Sequence, residues 1–168
     1  MSELIVVGVD GSAEAAAALT FAATEAARRG VRVRVVTVVQ KPDFVTVPLG
    51  MAPPTVMTTT VDFPSAARQV ARDAVDAFTA DHPALAGQVE MEVVGVAGHP
   101  ATELVEQSRG AALLVLGHRG RGAIASTLLG SVGLSCALHA HCPVTIVRPT
   151  SAGDDATAPA MAAATPAV

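Results

Sequence analysis

The sequence predicts an α/β protein with a single, doubly wound, five-stranded parallel sheet and four helices, a Rossmann-like arrangement. Two observations carry this prediction. Five short apolar runs alternate along the chain with segments that have helical spacing. The first and fourth runs are almost continuously apolar, as strands covered on both faces must be. Because the 168 residues include no Trp or Tyr and only four Phe, we expect an aliphatic core.

The first forty residues predict a strand–helix–strand unit. An apolar strand spans residues 3–10, and Ser12 is placed to cap the helix that follows. That helix reaches about Arg29, where Gly30 supplies the glycine at which many helices end. A second strand covers residues 31–39. Units of this kind nearly always have parallel strands and a right-handed crossover.

The rest of the chain predicts three further strands and three further helices. Residues 41–64 are a long Pro- and Thr-rich connection without periodicity, of a length that is usually functional or disordered. The elements that follow are a helix capped by Ser65 and ending near Ala80, a strand at 88–96, a short helix from Pro100 stopped by Gly110, a strand at 111–117, a helix at 130–138 and a strand at Val144–Val147. We expect one domain at residues 1–149 and a disordered Ala/Pro-rich tail at 150–168.

Charge and cysteine content exclude several classes of protein. With 11 basic and 15 acidic residues the net charge is −4, which argues against a general nucleic-acid binder. Cys136 and Cys142 are too few for a disulfide framework and suit a reducing compartment. No basic leader precedes the first apolar run, and no stretch is apolar enough to predict a membrane-spanning helix. We therefore expect a cytoplasmic protein without nucleic-acid or membrane partners.

A glycine-rich segment follows the fourth predicted strand, at the edge where doubly wound sheets bind ligands. Gly117 and Gly120 allow the backbone a positive φ and a close approach to a ligand. Gly130 and Ser131 open a helix, whose first N–H groups point outward at the positive end of the helix dipole. Arg119 and Arg121 add positive charge at the same rim. Both a phosphate-binding site and a plain glycine-rich surface loop fit these residues.

Better-known motifs fit less well. Residues 120–125 match GxGxxA but follow the fourth strand, whereas the dinucleotide fingerprint belongs after the first. The chain contains no GxxxxGK[ST], so a P-loop is excluded. His139 and His141 lie two residues apart at a helix end, where their rings point away from each other, and predict no metal site. No side chain is predicted to be catalytic.

The spacing Gly117-x2-Gly120-x9-Gly130-Ser131, followed by Cys142-Pro143-Val144, resembles the ATP-binding branch of the universal stress protein family. The opening at residues 5–12 and the pair Gly98-x-Pro100 are also similar to this family, so the resemblance covers residues 3–149. The fold it implies is that of the adenine nucleotide alpha hydrolase-like proteins.

The resemblance implies that the chain binds ATP, with Mg²⁺ shared between phosphate oxygens. Asp10 would meet the ribose, Val38 would line the adenine pocket, and Leu116 would pass beneath the nucleoside. Gly133 stands where the family usually has Ser or Thr, so one hydroxyl contact to phosphate is missing. The complete set of nucleotide-binding residues that the resemblance implies is Gly8, Val9, Asp10, Val38, Leu116, Gly117, Arg119, Gly120, Gly130, Ser131, Val132 and Gly133.

Three hypotheses for function follow. The favoured one is a stress-response protein that binds ATP and signals through its occupied state, with residues 41–63 and 118–129 closing over the nucleotide. The second is a slow ATPase or an autophosphorylating enzyme. The third is an interaction module that binds no nucleotide, or cAMP instead. The apolar strand at Val144–Val147 predicts a homodimer, because an unpaired edge strand invites pairing with a second copy.

Overall fold

A computed structural model describes residues 4–40, 62–120 and 129–149 of the chain. The predicted tail at 150–168, most of the long connection after residue 40, and residues 121–128 of the predicted closing loop lie outside the described residues. The elements are β1 (Leu4–Gly8), α1 (Ala13–Arg29), β2 (Arg32–Val39), α2 (Phe63–Asp81), α3 (Pro83–Ala86), β3 (Met91–Ala97), α4 (Pro100–Gln107), β4 (Leu113–Gly117), α5 (Ser131–His139) and β5 (Val144–Val147).

The five strands form one parallel sheet in the order β3-β2-β1-β4-β5, which confirms the predicted fold class. Five helices are described rather than the predicted four. The additional one, α3, is a single turn between α2 and β3, and Pro83 at its first position suits a helix start. The sequence analysis interpreted His82 and Pro83 only as the end of the preceding helix.

The predicted ends of α1 are confirmed. The Ser12 hydroxyl accepts a hydrogen bond from the Ala15 N–H at 3.2 Å, as an N-cap does. Gly30 closes the helix in the left-handed conformation, with φ 66°. A glycine is needed there because this region is costly for residues that carry a Cβ.

The predicted start of α2 was wrong. Asp62, not Ser65, is the N-cap residue, and its carboxylate accepts hydrogen bonds from the Ser65 N–H at 3.2 Å and hydroxyl at 2.6 Å. Hydrogen bonds to the charged form lower the pKa of Asp62. Both residue types cap helices well, so the sequence alone did not separate them.

The predicted end of α4 was also displaced. This helix stops at Gln107, with the buried Ser108 as C-cap, three residues before the predicted Gly110. Gly110 still adopts a positive φ of 73°, but it does so in the turn that leads to β4. The glycine therefore marks the turn rather than the helix end.

Two apolar layers cover the two faces of the sheet. On one face, α1 and α2 pack on β-strand residues that include Ile5, Val7 and Val35. On the other face, α4 and α5 pack on Val6, Val36 and further strand residues. Ile5, Val6, Val7 and Val35 are fully buried, as expected for strands with helices on both sides. Within the described ranges, no helix is long and apolar enough to cross a membrane.

The order of the strands places a crevice above the carboxyl ends of β1 and β4. The chain leaves β1 through α1 toward β2 on one side, and it returns through α4 to β4 on the other side. Helices that leave in opposite directions open a gap at this point, which is where doubly wound sheets hold ligands.

Candidate functional site

A cavity of ≈ 580 Å³ occupies this crevice, a size typical of sites for small molecules. All twelve residues that the sequence analysis singled out line it. The cavity walls also include five residues that the sequence analysis did not predict as site residues, namely Ala15, Val36, Gln40, Pro100 and Leu104. The structure thus brings together residues from β1, β2, α1, α4, β4 and α5.

Asp10 stands at the floor of the cavity, immediately after β1. Its Oδ1 accepts hydrogen bonds from the Ser12 N–H at 3.0 Å and from the Ser12 hydroxyl at 2.6 Å. These two donors orient the carboxylate at the start of α1. The other oxygen, Oδ2, faces Gly120, where an added Cβ would lie only 2.7 Å away. The fold thus brings an acidic side chain beside the glycine-rich segment.

Gly117 lines the cavity and also lies against α1. Among the described residues, positive φ angles occur only at Gly11, Gly30 and Gly110, so Gly117 and Gly120 do not adopt the positive φ that a glycine allows. A Cβ on Gly117 would lie 2.9 Å from the backbone carbonyl carbon and oxygen of Glu14. Gly117 therefore lets β4 approach the first turn of α1 closely.

Gly120 and Gly130 differ in how much space they have. A side chain at Gly120 would displace the Asp10 carboxylate, whereas a Cβ on Gly130 would meet its nearest neighbour, the His118 carbonyl oxygen, at 3.7 Å. The Gly130 N–H donates to that same His118 carbonyl at 3.2 Å, which joins the two ends of the glycine-rich segment.

The amino terminus of α5 forms the opposite wall of the cavity. Gly130 is its N-cap residue, and no side chain caps this helix among the described residues. The Leu134 N–H donates to the Gly130 carbonyl at 3.0 Å and begins the helical hydrogen bonds. The three preceding N–H groups have no partner within the helix. They belong to Ser131, Val132 and Gly133, which all line the cavity.

Arg119 contributes a guanidinium group to the rim between β4 and α5. Its neighbour His118 does not line the cavity. The His118 N–H donates to the Val147 carbonyl at 2.8 Å, and its Nε2 is buried without a hydrogen-bond partner among the described residues. Arg119 is therefore the cationic side chain that the described part of the chain places at the cavity.

The wall formed by β2 is chemically different. Val36 and Val38 alternate along β2 and share one of its faces, and Gln40 follows directly after the strand and lines the same cavity. Leu104 of α4 and Leu116 of β4 complete this apolar side. Two signals in the sequence would have found two of the five missed residues. Gln40 follows a predicted strand at its carboxyl end, and Leu104 lies one helical turn after Pro100.

The described residues contain no group of three or more His, Cys, Asp or Glu side chains that would hold a metal ion. The two cysteines also lie apart from the cavity lining. Cys136 is buried between α5 and α4, and this burial raises the pKa of its thiol to about 11. Burial also raises the pKa of the Cys142 thiol. These thiols are therefore protonated at neutral pH.

The sheet order and the cavity define a doubly wound α/β domain with a ligand-sized crevice at its switch point. The model of the universal stress protein family matches residues 1–148. Universal stress protein Rv2005c of Mycobacterium tuberculosis is 39% identical over 156 residues, which cover 92% of this chain and 50% of that protein. The chain belongs to the universal stress protein family, and it spans about half the length of the curated relatives it matches.

Solved structures of the same fold include two with nucleotides. A universal stress protein in complex with cAMP has a TM-score of 0.59 and 24% identity, and the match covers 86% of this chain and 96% of that one. The universal stress protein of Archaeoglobus fulgidus in complex with dAMP has a TM-score of 0.53 and 23% identity, with 86% and 96% covered. At these identities the likeness concerns the fold.

Proposed function

We propose that this protein binds an adenine nucleotide, preferably ATP, across the cavity. We further propose that the nucleotide-bound state acts as a signal in the stress response. The observation that carries the proposal is the assembly of all twelve expected residues around one cavity of ≈ 580 Å³. They come from segments far apart in the chain, so their meeting does not follow from local sequence. The nucleotides held by two proteins of the same fold agree with it.

The order of the strands suits the order of the parts of a nucleotide. β2, β1 and β4 are neighbours in the sheet, about 5 Å apart from one strand to the next. We place the base on the apolar wall of β2, the ribose hydroxyls at the Asp10 carboxylate after β1, and the phosphates beyond β4. An ionised carboxylate accepts hydrogen bonds only, which suits sugar hydroxyls as donors.

The phosphates would lie at the amino terminus of α5. There the N–H groups of Ser131, Val132 and Gly133 offer donors at the positive end of the helix dipole. Arg119 would neutralise further negative charge, and Gly120 leaves room for the backbone to approach. The bare backbone at Gly133 keeps its N–H group although it lacks the hydroxyl common in the family.

Magnesium fits this site only as a companion of the phosphates. Since the described residues supply no cluster of acidic ligands beyond Asp10 at the cavity, the oxygens that hold the ion would come mainly from the nucleotide. The ion would neutralise charge between phosphate groups. The side chains at the cavity would then orient the nucleotide, and the nucleotide would supply the ligands of the metal ion.

Calorimetric titration with ATP, ADP and cAMP, with and without MgCl₂, tests the proposal. We expect saturable binding of ATP at one site per chain. The variant Gly120→Ala should bind it about tenfold more weakly, because the new methyl group displaces the Asp10 carboxylate. Gly87→Ala is the matched control, since its Cβ meets only ordinary contacts, the nearest at 3.6 Å, on α3. Absence of heat with all three nucleotides would overturn the proposal.

Hydrolysis of ATP is the second candidate function, and the position of Asp10 beside Gly120 is the observation that favours it. However, Oδ1 of this carboxylate is already held by Ser12, and the chain has no P-loop lysine. We expect any turnover of radiolabelled ATP to lie far below the 1–100 s⁻¹ that is roughly typical of kinases. Rapid hydrolysis that Gly120→Ala abolishes would favour the enzyme instead.

We further propose a cytoplasmic homodimer that pairs through Val144–Val147. This strand ends the described sheet, and Leu134 and Leu138 of the adjoining α5 are 51% and 69% exposed. A second copy would cover both the open strand edge and these leucines. Sedimentation should give twice the chain mass of 16.9 kDa, and Leu134→Glu with Leu138→Glu should shift it toward the monomer. A monomeric wild type at high concentration contradicts this proposal.

A further inference from the structure

The two ends of the cavity differ in the hydrogen bonds that their side chains offer. The α5 end presents backbone N–H groups and Arg119. The β2 end is apolar, with Val36, Val38 and Leu116 in one packed cluster. The only side-chain amide among the described residues that line the cavity is that of Gln40, at the β2 end. A ligand group seated there therefore meets a single side chain that both donates and accepts.

Gln40 is placed to use this amide on a ligand. It lies just beyond the end of β2, two residues after Val38, and it lines the same cavity as that residue. Within the described part of the chain its amide makes no hydrogen bond, whereas the Gln69 amide donates to Asp73 at 2.8 Å and the Gln88 amide to the Ala84 carbonyl at 2.9 Å. The Gln40 side chain is exposed at the cavity mouth, so its amide is available to a ligand.

We infer that the Gln40 amide reads the hydrogen-bonding edge of the purine base and sets the preference of the site for adenine. This inference rests on the proposed nucleotide binding. The amide oxygen accepts from the exocyclic amino group of adenine, and the amide N–H donates to the neighbouring ring nitrogen, a pairing that glutamine and asparagine make with adenine elsewhere. Val38 and Leu116 cover the ring faces and exclude water.

The same geometry disfavours guanine. If the amide flips, its N–H group donates to the guanine carbonyl and its oxygen accepts from the guanine ring N–H. The amino group of guanine is then left without an acceptor. Beside Val38 and Pro100, that unpaired donor carries the cost of lost hydration. A carboxylate at position 40 reverses this preference. It accepts from both the ring N–H and the amino group of guanine, and it has no donor for the adenine ring nitrogen.

The test is the ratio of the dissociation constants for ATP and GTP, measured by calorimetry for the wild type and for Gln40→Glu. Repulsion between the new carboxylate and the triphosphate weakens the binding of both nucleotides by the same factor, so it cancels in the ratio. We expect the preference for ATP to fall at least roughly tenfold, the lower range for one two-point base contact. Gln40→Ala should weaken ATP without improving GTP.

Gln88→Glu is the matched control. It adds the same charge at an exposed position before β3, at the amino-terminal end of the strands and away from the cavity lining, and we expect the ATP-to-GTP ratio to stay at the wild-type value. If the wild type binds ATP and Gln40→Glu leaves the ratio unchanged, the inference fails and the proposed function stands. If the wild type binds neither nucleotide, both fail. Equal thermal unfolding of the variants shows that each one is folded.

Discussion

Replacing Gly117 by alanine tests why this glycine occupies the site. If its purpose were only to leave room for a ligand, the methyl group would project into the cavity and affect binding alone. The structure predicts otherwise, because the new Cβ would lie 2.9 Å from the carbonyl carbon and oxygen of Glu14 and 3.0 Å from its Cβ. These atoms belong to the first turn of α1, which Ser12 caps.

The size of the effect follows from these distances. Ordinary contacts of a Cβ lie at 3.4–4 Å, so β4 or the first turn of α1 must move by about 0.5 Å. Neither can do so freely, since Ala15 in that turn is 4% exposed and packs in the core. Overpacking of this kind costs roughly 1–3 kcal/mol. For a chain of this size, the loss corresponds to a melting temperature lower by roughly 3–10 °C.

Gly120→Ala is the matched comparison, because among the described residues a methyl group at this next glycine of the motif comes close only to the Asp10 carboxylate. A carboxylate moves more easily than a backbone carbonyl, even though Ser12 donates two hydrogen bonds to it, so we expect the melting temperature to fall less than in Gly117→Ala. Thermal unfolding followed by circular dichroism, together with ATP titration, separates the two variants. Gly117→Ala should lose stability, and Gly120→Ala should lose affinity.

If Gly117→Ala has the same melting temperature as the wild type, the close contact with Glu14 does not limit stability and this prediction is wrong. The prediction is also wrong if Gly120→Ala is the less stable variant, because a contact with the Glu14 backbone should then cost more free energy than a contact with the Asp10 side chain, and it does not. A Gly117→Ala protein that is stable but binds no ATP would restore the original prediction that this glycine serves the ligand directly.

Four further predictions concern Ser12, Arg119 and Cys136. Ser12→Ala removes the N-cap of α1 and should lower the free energy of unfolding in urea by about 0.5–2 kcal/mol. Arg119→Ala should weaken the binding of ATP about tenfold and leave the binding of adenosine unchanged, as measured by calorimetry at low salt. Burial raises the pKa of Cys136 to about 11 from 9.0, so native protein at pH 8 should resist iodoacetamide at this thiol. The same shift makes the free energy of unfolding fall as pH rises from 9 to 11, since the unfolded thiol ionises first.

The family assignment and the length comparison bear on how these experiments are interpreted. The chain matches a universal stress protein over residues 1–148, yet it covers about half of relatives such as the Mycobacterium tuberculosis protein. Activities of those longer proteins therefore remain proposals for this chain. The ATP titration and the sedimentation experiment address the chain as it stands.

The sequence by itself determined the fold class, the approximate place of each strand and the ends of α1. These features depend on local signals, namely continuous apolar runs, a capping hydroxyl at Ser12 and a left-handed glycine at Gly30. The spacing of Gly117, Gly120 and Gly130 also placed the expected residues on the correct edge of the sheet, because parallel strands bring their carboxyl ends together.

Only the tertiary structure decided what those residues contact. Gly117 meets Glu14, and Gly120 meets Asp10, across more than a hundred residues of chain. Gln40 joined the cavity because β2 lies beside β1 in the sheet. The choice of Asp62 over Ser65 as cap likewise depended on the backbone path into α2. Local sequence patterns specify individual helices and strands. Distances between side chains that are remote in the chain depend on how closely those helices and strands pack, and no short stretch of sequence encodes that packing.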